Sequence, residues 1–223
     1  MELPVTPLIR FLTSNIGRKV LMGLTGLFLI LFLVIHLSGN LLIFKGADAF
    51  NEYSEKMLAN ELIYVIELVL LLAFVAHFVS GIAVTLQNRA ARPIGYAVKR
   101  RAGHTSHKSL ASTTMILTGL VVLAFVPIHL ITFKFGTHYA AASNPHQRDL
   151  YRLVIEEFHE PLEVAWYVVA MVIIGFHLWH GFGSGFESLG VTYRKPLRRF
   201  GQALAVIIAG GFIVIPVLVF LGR

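Results

Sequence analysis

Five long apolar stretches alternate with short polar segments along the chain, at about residues 19–44, 62–87, 109–133, 162–187 and 200–221. Each reaches the roughly 20 residues that a helix needs to cross a bilayer core about 30 Å thick. The pattern predicts an all-α membrane protein, a bundle of five transmembrane helices. No Gly/Ser-rich linker or low-complexity tract divides the chain, so residues 1–223 are expected to form a single transmembrane domain. The first stretch is too long for a cleaved signal peptide. It also lacks a small-residue cleavage site and runs on into Gly39-Asn40-Leu41-Leu42. Between the spans, residues 147–158 place apolar side chains at helical intervals and predict a short surface helix, and residues 4–16 read similarly.

Basic residues are distributed unevenly over the polar segments. The N-terminus (Arg10, Arg18, Lys19), the second loop (Arg89, Arg92, Lys99, Arg100, Arg101, Lys108) and the fourth loop (Arg194, Lys195, Arg198, Arg199) hold 13 of the 19 Lys and Arg. The opposite side carries most of the acids, among them Asp48, Glu52, Glu61, Asp149, Glu156 and Glu160. The positive-inside rule then places the N-terminus in the cytoplasm and the C-terminus outside.

Composition agrees with this reading. The chain is 56% hydrophobic and 14% charged, with a mean hydropathy of +0.73, against about 45–50% and about 25% for soluble domains. The net charge of +7 does not indicate nucleic acid, because the cations lie in short segments between spans rather than on a soluble face. Cysteine is absent, which excludes disulfides, thiolate zinc sites, iron–sulfur clusters and covalently attached haem within this chain. Ten histidines in so apolar a sequence are the excess that needs a cause.

Depth sorts them. His36, His77, His129 and His177 lie deep in spans one to four, one per span; His180 is one turn beyond His177. His104, His107, His138, His146 and His159 fall in loops or near span ends and read as solvated or interfacial side chains. Counted from the cytoplasmic ends of their helices, His36 and His129 lie 19 and 21 residues in, or roughly 28–32 Å at the helical rise. His77 and His177 lie 12 and 13 residues in, or roughly 18–20 Å. The chain thus offers two levels, roughly 10–12 Å apart, each with two histidines from separate helices. One intramembrane histidine can be explained as a hydrogen bond between helices worth about 0.6–2 kcal/mol. Four of them, matched in depth, fit axial ligation of two six-coordinate b-type haems, which need paired imidazoles and no thioether.

Small residues accompany the histidines. Gly81 and Gly181 follow His77 and His177 by four residues, and Gly39 follows His36 by three, which puts each beside its histidine on one helix face. Gly23, Gly26 and Gly119 lie where the inner haem would pass the first and third spans. Ordinary small-residue helix packing is the competing account of these glycines. His180 is an alternative to His177 as ligand, at a register change of about 4.5 Å. Glu67, the only acid well inside a span, lies ten residues outward of His77. As a buried carboxylate it would resist ionisation and exchange protons with quinone or the outer medium; as a helix-start acid it would sit in the headgroup layer.

The runs Ser14-Asn15-Ile16-Gly17-Arg18-Lys19, His36-Leu37-Ser38-Gly39-Asn40 and Lys45-Gly46-Ala47-Asp48-Ala49-Phe50-Asn51 resemble the di-haem cytochrome b subunit of succinate dehydrogenases and fumarate reductases. Phe176-His177-Leu178-Trp179-His180-Gly181-Phe182, continuing to Ser188-Leu189-Gly190, looks like the fourth helix of its b558 branch. The likeness runs from about residue 14 to 221, with five spans in the family's order. It implies two non-covalent haems b and a quinone partner, usually menaquinone. His36 and His129 would hold the distal haem, and His77 and His177 the proximal one, with His180 left to contact a propionate or the inner surface. Arg18, Lys19, Arg89 and Ser14 become candidates for the anionic propionates and for docking of a partner.

The resemblance also implies what this chain lacks. A flavoprotein subunit and an iron–sulfur subunit would complete the complex, consistent with the missing cysteine and dinucleotide fingerprint. The expected role is an electron-transferring, non-catalytic subunit of a succinate:quinone oxidoreductase in a prokaryotic inner membrane. Two rivals are the cytochrome b anchor of a hydrogenase or formate dehydrogenase, and a haem-free transporter using histidines as a proton relay.

Overall fold

The structure is a computed structural model and describes residues 7–91, 113–141, 144–192 and 194–222. Among the described residues it is all-helical apart from one isolated bridge between Ala140 and Arg148. A short helix α1 (Pro7–Thr13) leads into α2 (Asn15–Asn40), which continues as a 3-10 turn to Lys45. There follow α3 (Ala47–Leu58), α4 (Leu62–Ala90), α5 (Met115–His129) with a π-helical turn Leu130–Lys134, α6 (Leu150–Glu157), α7 (Pro161–Ser188) and α8 (Lys195–Phe220). Five of these, α2, α4, α5, α7 and α8, are long and apolar enough to cross a membrane. They correspond one to one to the five stretches expected.

The helix ends differ from expectation for local reasons. The Ser14 hydroxyl caps α2 by accepting from the Gly17 N–H at 3.0 Å while donating to the Phe11 carbonyl at 2.6 Å. The cap starts α2 at Asn15 and takes Arg18 and Lys19 into the helix, where long cationic side chains can extend to the interface. Pro161 opens α7 at a position where its missing N–H costs nothing. The expected start of the third span at 109 lies outside the described residues, as do Arg92, Lys99, Arg100, Arg101, Lys108, His104 and His107. The expected surface helix at 147–158 is α6, capped by Asp149, whose carboxylate accepts from the Arg152 N–H at 3.0 Å. Of the helix expected at 4–16, residues 7–13 form α1, Ser14 to Ile16 are the cap and first residues of α2, and residues 4–6 lie outside the described residues. Helix α3 was not expected at all; Gly46, at φ +95°, allows the sharp turn that precedes it.

Close approach of backbones holds the bundle together. In a bilayer, helices associate through packing rather than water exclusion, so small residues mark the crossings. Helix α2 crosses α7 at Gly23 and Gly185: a methyl on Gly23 would lie 3.0 Å from the Gly185 carbonyl oxygen. Helix α8 lies along α7 and also meets α2, where a methyl on Gly211 would come within 2.7 Å of Leu37. The buried core follows these seams through Ile30, Leu37, Ala170, Met171, Ile174 and Ile208.

The two ends of the bundle differ. One, carrying the starts of α2 and α8 and the ends of α4 and α7, bears Arg18, Lys19, Arg89, Arg194 and Lys195; the other is covered by α3, α6 and the segment between α5 and α6. That cover rests on Asn51, which is 4% exposed. Its amide donates to Asp149 at 2.8 Å and its carbonyl accepts from the Tyr151 N–H at 2.9 Å, tying α3 to the start of α6. Arg148 donates to the carbonyls of Lys134, Gly136 and Thr137 at 3.2–3.3 Å, satisfying backbone acceptors beyond the π turn. On α6, burial and then the carboxylates of Glu163, Glu156 and Glu160 push Glu157 above the usual carboxylate range. Replacing Asn51 with Leu strands a buried N–H and a carboxylate partner, at about 1–3 kcal/mol for such a group. Thermal unfolding in detergent is expected to show that loss for Asn51→Leu, together with faster proteolysis between residues 136 and 148.

Candidate functional site: two imidazole pairs

The four deep histidines meet as two pairs. At the acidic end the rings of His36 (α2) and His129 (α5) have centroids 5.8 Å apart and are inclined at 86°. Toward the basic end, His77 (α4) and His177 (α7) are 6.3 Å apart at 74°. Imidazole nitrogens sit about 2.0–2.1 Å from a bound transition metal, so two rings on opposite sides of one ion hold their centres roughly 6 Å apart. Both pairs have that spacing. His180, one turn beyond His177, is half-buried and is not the ring that faces His77.

In a bilayer both nitrogens of an imidazole need partners. The His77 Nδ1–H donates to the Met22 carbonyl at 3.0 Å, with the Thr25 hydroxyl at 3.4 Å. The His177 Nδ1 lies 3.1 Å from the Thr118 hydroxyl. The Tyr167 hydroxyl is 3.1 Å from Nδ1 of His129. Each contact occupies the nitrogen nearer the backbone and leaves Nε2 available. That division of labour is how metal-bound histidines are oriented. His36 differs: its neighbour is the Asn40 amide, whose nitrogen is 3.4 Å from Nδ1 and donates to the His36 carbonyl at 2.8 Å.

Glycines of the neighbouring helices stand against the rings of the inner pair, with room for a side chain least at Gly26. A methyl on Gly26 of α2 would lie 2.9 Å from Cε1 of His77, and one on Gly119 of α5 would lie 3.4 Å from Cε1 of His177. Gly181 faces open space, and Gly81 has only the Met22 sulfur near it, at 3.8 Å. Gly39 does not lie beside its histidine's ring but takes the ring of Tyr53, whose Cε1 would be 2.7 Å from an added methyl. Below the His77–His177 level a cavity of about 330 Å³ opens between α2, α4 and α7, lined by Lys19, Met22, Val84, Ser184, Glu187 and Ser188. Arg18 is half-buried and Arg89 exposed at the same end.

Two expectations change. Glu67 is neither buried nor alone: about a third exposed, it pairs with Lys134 of the π turn. The sequence places it six residues into α4, close enough to the helix start for a cation from the facing segment to reach it. The hydroxyl of Ser14 is spent on capping α2, with no surplus proton to offer a ligand. The separation of the levels also grows. Gly26 lies at the level of His77 and is ten residues before His36; Gly119 lies at the level of His177 and is ten residues before His129. Both rulers give about 15 Å, more than span-end counting suggested, because antiparallel helices do not end in one plane.

Those rulers expose a repeat that span-by-span reading missed. Residues 24–36 and 117–129 share Leu-Thr-Gly-Leu at the start, Ile-His at the end and a phenylalanine four residues before the histidine. Phe32 stacks on His36 at 5.2 Å and 16°, and Phe125 on His129 at 5.6 Å and 21°. Comparing the sequence with itself at an offset of 93 residues would have found it. The helices α2 and α5 thus each carry one histidine for the acidic-end pair and one Thr-Gly wall for the other pair.

Two donors per site do not make a bare-ion site. Among the described residues no group of three or more His, Cys, Asp or Glu is gathered in one place, whereas a structural or catalytic zinc uses at least three protein ligands. A haem brings its own four equatorial nitrogens and asks the protein for two axial ones. The ring spacing, the occupied Nδ1 positions and the glycine walls fit that group.

Comparison with known proteins bears on the same reading. Over 180 residues, 80% of this chain and 81% of the relative, the sequence is 23% identical to the succinate dehydrogenase cytochrome b558 subunit of Bacillus subtilis (strain 168). No family model matches the chain, and no solved structure does. The chain is similar along most of its length to a cytochrome b subunit with which the sequence motifs also agree.

Proposed function

We propose that this chain is the two-haem membrane anchor of a succinate:quinone oxidoreductase. In this reading it is a single transmembrane domain, itself non-catalytic, that carries electrons between an iron–sulfur partner subunit and membrane quinone. The observation that carries the reading is the pair of facing imidazole couples, 5.8 and 6.3 Å between rings, at two levels of one bundle. The similarity to a cytochrome b558 subunit supports the choice of complex.

His36 with His129 and His77 with His177 would hold the two haems. When bound, each b haem supplies one-electron transfer with no open iron position for other chemistry. The chain's residues do the rest. Met22, Thr118 and Tyr167 orient the imidazoles, Gly26 and Gly119 keep the helix walls flat beside them, and Phe32 and Phe125 brace the outer rings. Arg18, Lys19 and His180 line the basic end, where haem propionates would meet cations. Arg89 and its neighbours there are suited to docking a soluble subunit. Flavin and iron–sulfur chemistry falls to partner subunits, since a chain without cysteine cannot hold the clusters. The quinone is proposed to be menaquinone on the strength of the family resemblance. The positive-inside rule orients the bundle with its basic end and N-terminus in the cytoplasm of a prokaryote and its acidic end outside.

Three measurements test this. The protein purified from native membranes is expected to show a b-type reduced-minus-oxidised spectrum with two haems per chain, reducible by succinate before purification. A colourless protein would point instead to a histidine-relay transporter, and a cytochrome that succinate fails to reduce would point to the anchor of another oxidoreductase.

Ligand variants should act level by level. His77→Ala and His177→Ala are each expected to remove the inner haem and keep the outer one, and Gly26→Leu to do the same by driving a side chain into the His77 ring. His180→Ala should keep both; loss of the inner haem in that variant, with retention in His177→Ala, would reverse the assignment.

Because the chain has no cysteine, single cysteines report orientation directly. In spheroplasts a membrane-impermeant maleimide should label Ala59→Cys and leave Thr192→Cys unlabelled until the membrane is opened. The opposite pattern would invert the topology.

A further inference from the structure

The two Thr-Gly walls have the same sequence but do different work at the imidazoles they face. The Thr25 hydroxyl donates to the Leu21 carbonyl of its own helix at 2.6 Å, and the Thr118 hydroxyl donates to the Thr114 and Met115 carbonyls at 3.1 and 3.0 Å. A hydroxyl has one proton. With that proton turned back into the helix, each threonine can only accept from the histidine beside it. At His77 this matters little, because the Met22 carbonyl is the nearer acceptor, at 3.0 Å against 3.4 Å for Thr25. At His177 no carbonyl among the described residues stands in, and the Thr118 oxygen at 3.1 Å is the acceptor for Nδ1–H.

Resting on the haem reading above, we propose that Thr118 is the positioning residue for the inner haem. By accepting the Nδ1 proton of His177 it fixes the tautomer that presents Nε2 to the iron. It also makes the imidazole a stronger donor, which holds the haem's reduction potential down. The neighbouring Gly119 faces the same ring, where a methyl would lie 3.4 Å from Cε1 of His177, in van der Waals contact. Thr25 plays the same part only weakly, behind a backbone carbonyl that no substitution removes.

The test is a potentiometric titration of the intact complex, followed optically, with the inner haem's wave identified by its absence in His77→Ala. Thr118→Val keeps the shape and removes the acceptor. It is expected to retain two haems, raise the inner potential and leave the outer one unchanged. Thr118→Ser should restore the wild-type value, and Thr25→Val should shift the inner wave by less than half as much. If Thr118→Val does not retain the inner haem, Thr118→Ala, which removes the acceptor without bulk, reads the same shift. An unchanged inner potential in the variant that keeps its haem, or an equal shift in Thr25→Val, overturns the proposal. Wild-type complex with no b-type absorption would instead overturn the haem reading itself.

Discussion

A buried imidazole has two nitrogens and no water to satisfy either, and the arrangement of this bundle follows from that constraint. Nδ1 finds an oxygen on a neighbouring helix in three of the four deep histidines: Met22, Thr118 or Tyr167. Those partners come from helices other than the histidine's own, so each contact also sets how two helices stand relative to one another. What remains at those three is Nε2, while both ring nitrogens of His36 lie near the Asn40 amide, in an apolar interior where an unpaired nitrogen is costly. Under the proposed reading, a metal between the rings of each pair would remove the cost at both, and ligation would then help to hold the helices in register.

The repeat in α2 and α5 shows how few helices this takes. A helix that carries Thr-Gly and, ten residues later, histidine presents a wall at one level and a ligand at the next, about 15 Å on. Two such helices, together with α4 and α7 carrying His-x-x-x-Gly, complete both sites. Helix α8 has no histidine and closes the side of the bundle: Phe212 lies 5.6 Å from the His36 ring, and Gly211 admits Leu37 of α2. The spare helix is a wall, which explains why its C-terminal half can be apolar throughout.

What was legible in the sequence was whatever depends on depth along a single helix. Hydropathy found the spans, and counting along each helix paired His36 with His129 and His77 with His177. Quantities that depend on two helices at once were not legible. The separation of the levels was underestimated because helix ends were taken as coplanar. The two readings of Glu67 stayed open because its partner, Lys134, belongs to a π turn that no hydropathy pattern announces. That turn follows Pro127, whose missing N–H breaks the α-helical ladder; the chain resumes with an i to i+5 bond from the Phe135 N–H to the Leu130 carbonyl, 2.9 Å long. Gly39 looked like a haem contact because α3, which brings Tyr53 against it, was not foreseen. Thr25 and Thr118 were passed over since a threonine in an apolar helix reads as ordinary until its neighbour is known.

The two levels also bear on why one chain would hold two sites. The hydrocarbon core is about 30 Å thick, and one redox centre near either surface would leave most of that distance uncrossed. Levels about 15 Å apart divide it, with one pair near the cavity beside Lys19 and Glu187 and the other under the cover of α3 and α6. The partners of the imidazoles differ accordingly. The pair near the basic end is held by a backbone carbonyl and a hydroxyl committed as acceptor, while the other has a phenol and an amide nitrogen. Two sites built from one repeated helix motif are thereby given different hydrogen-bonding surroundings.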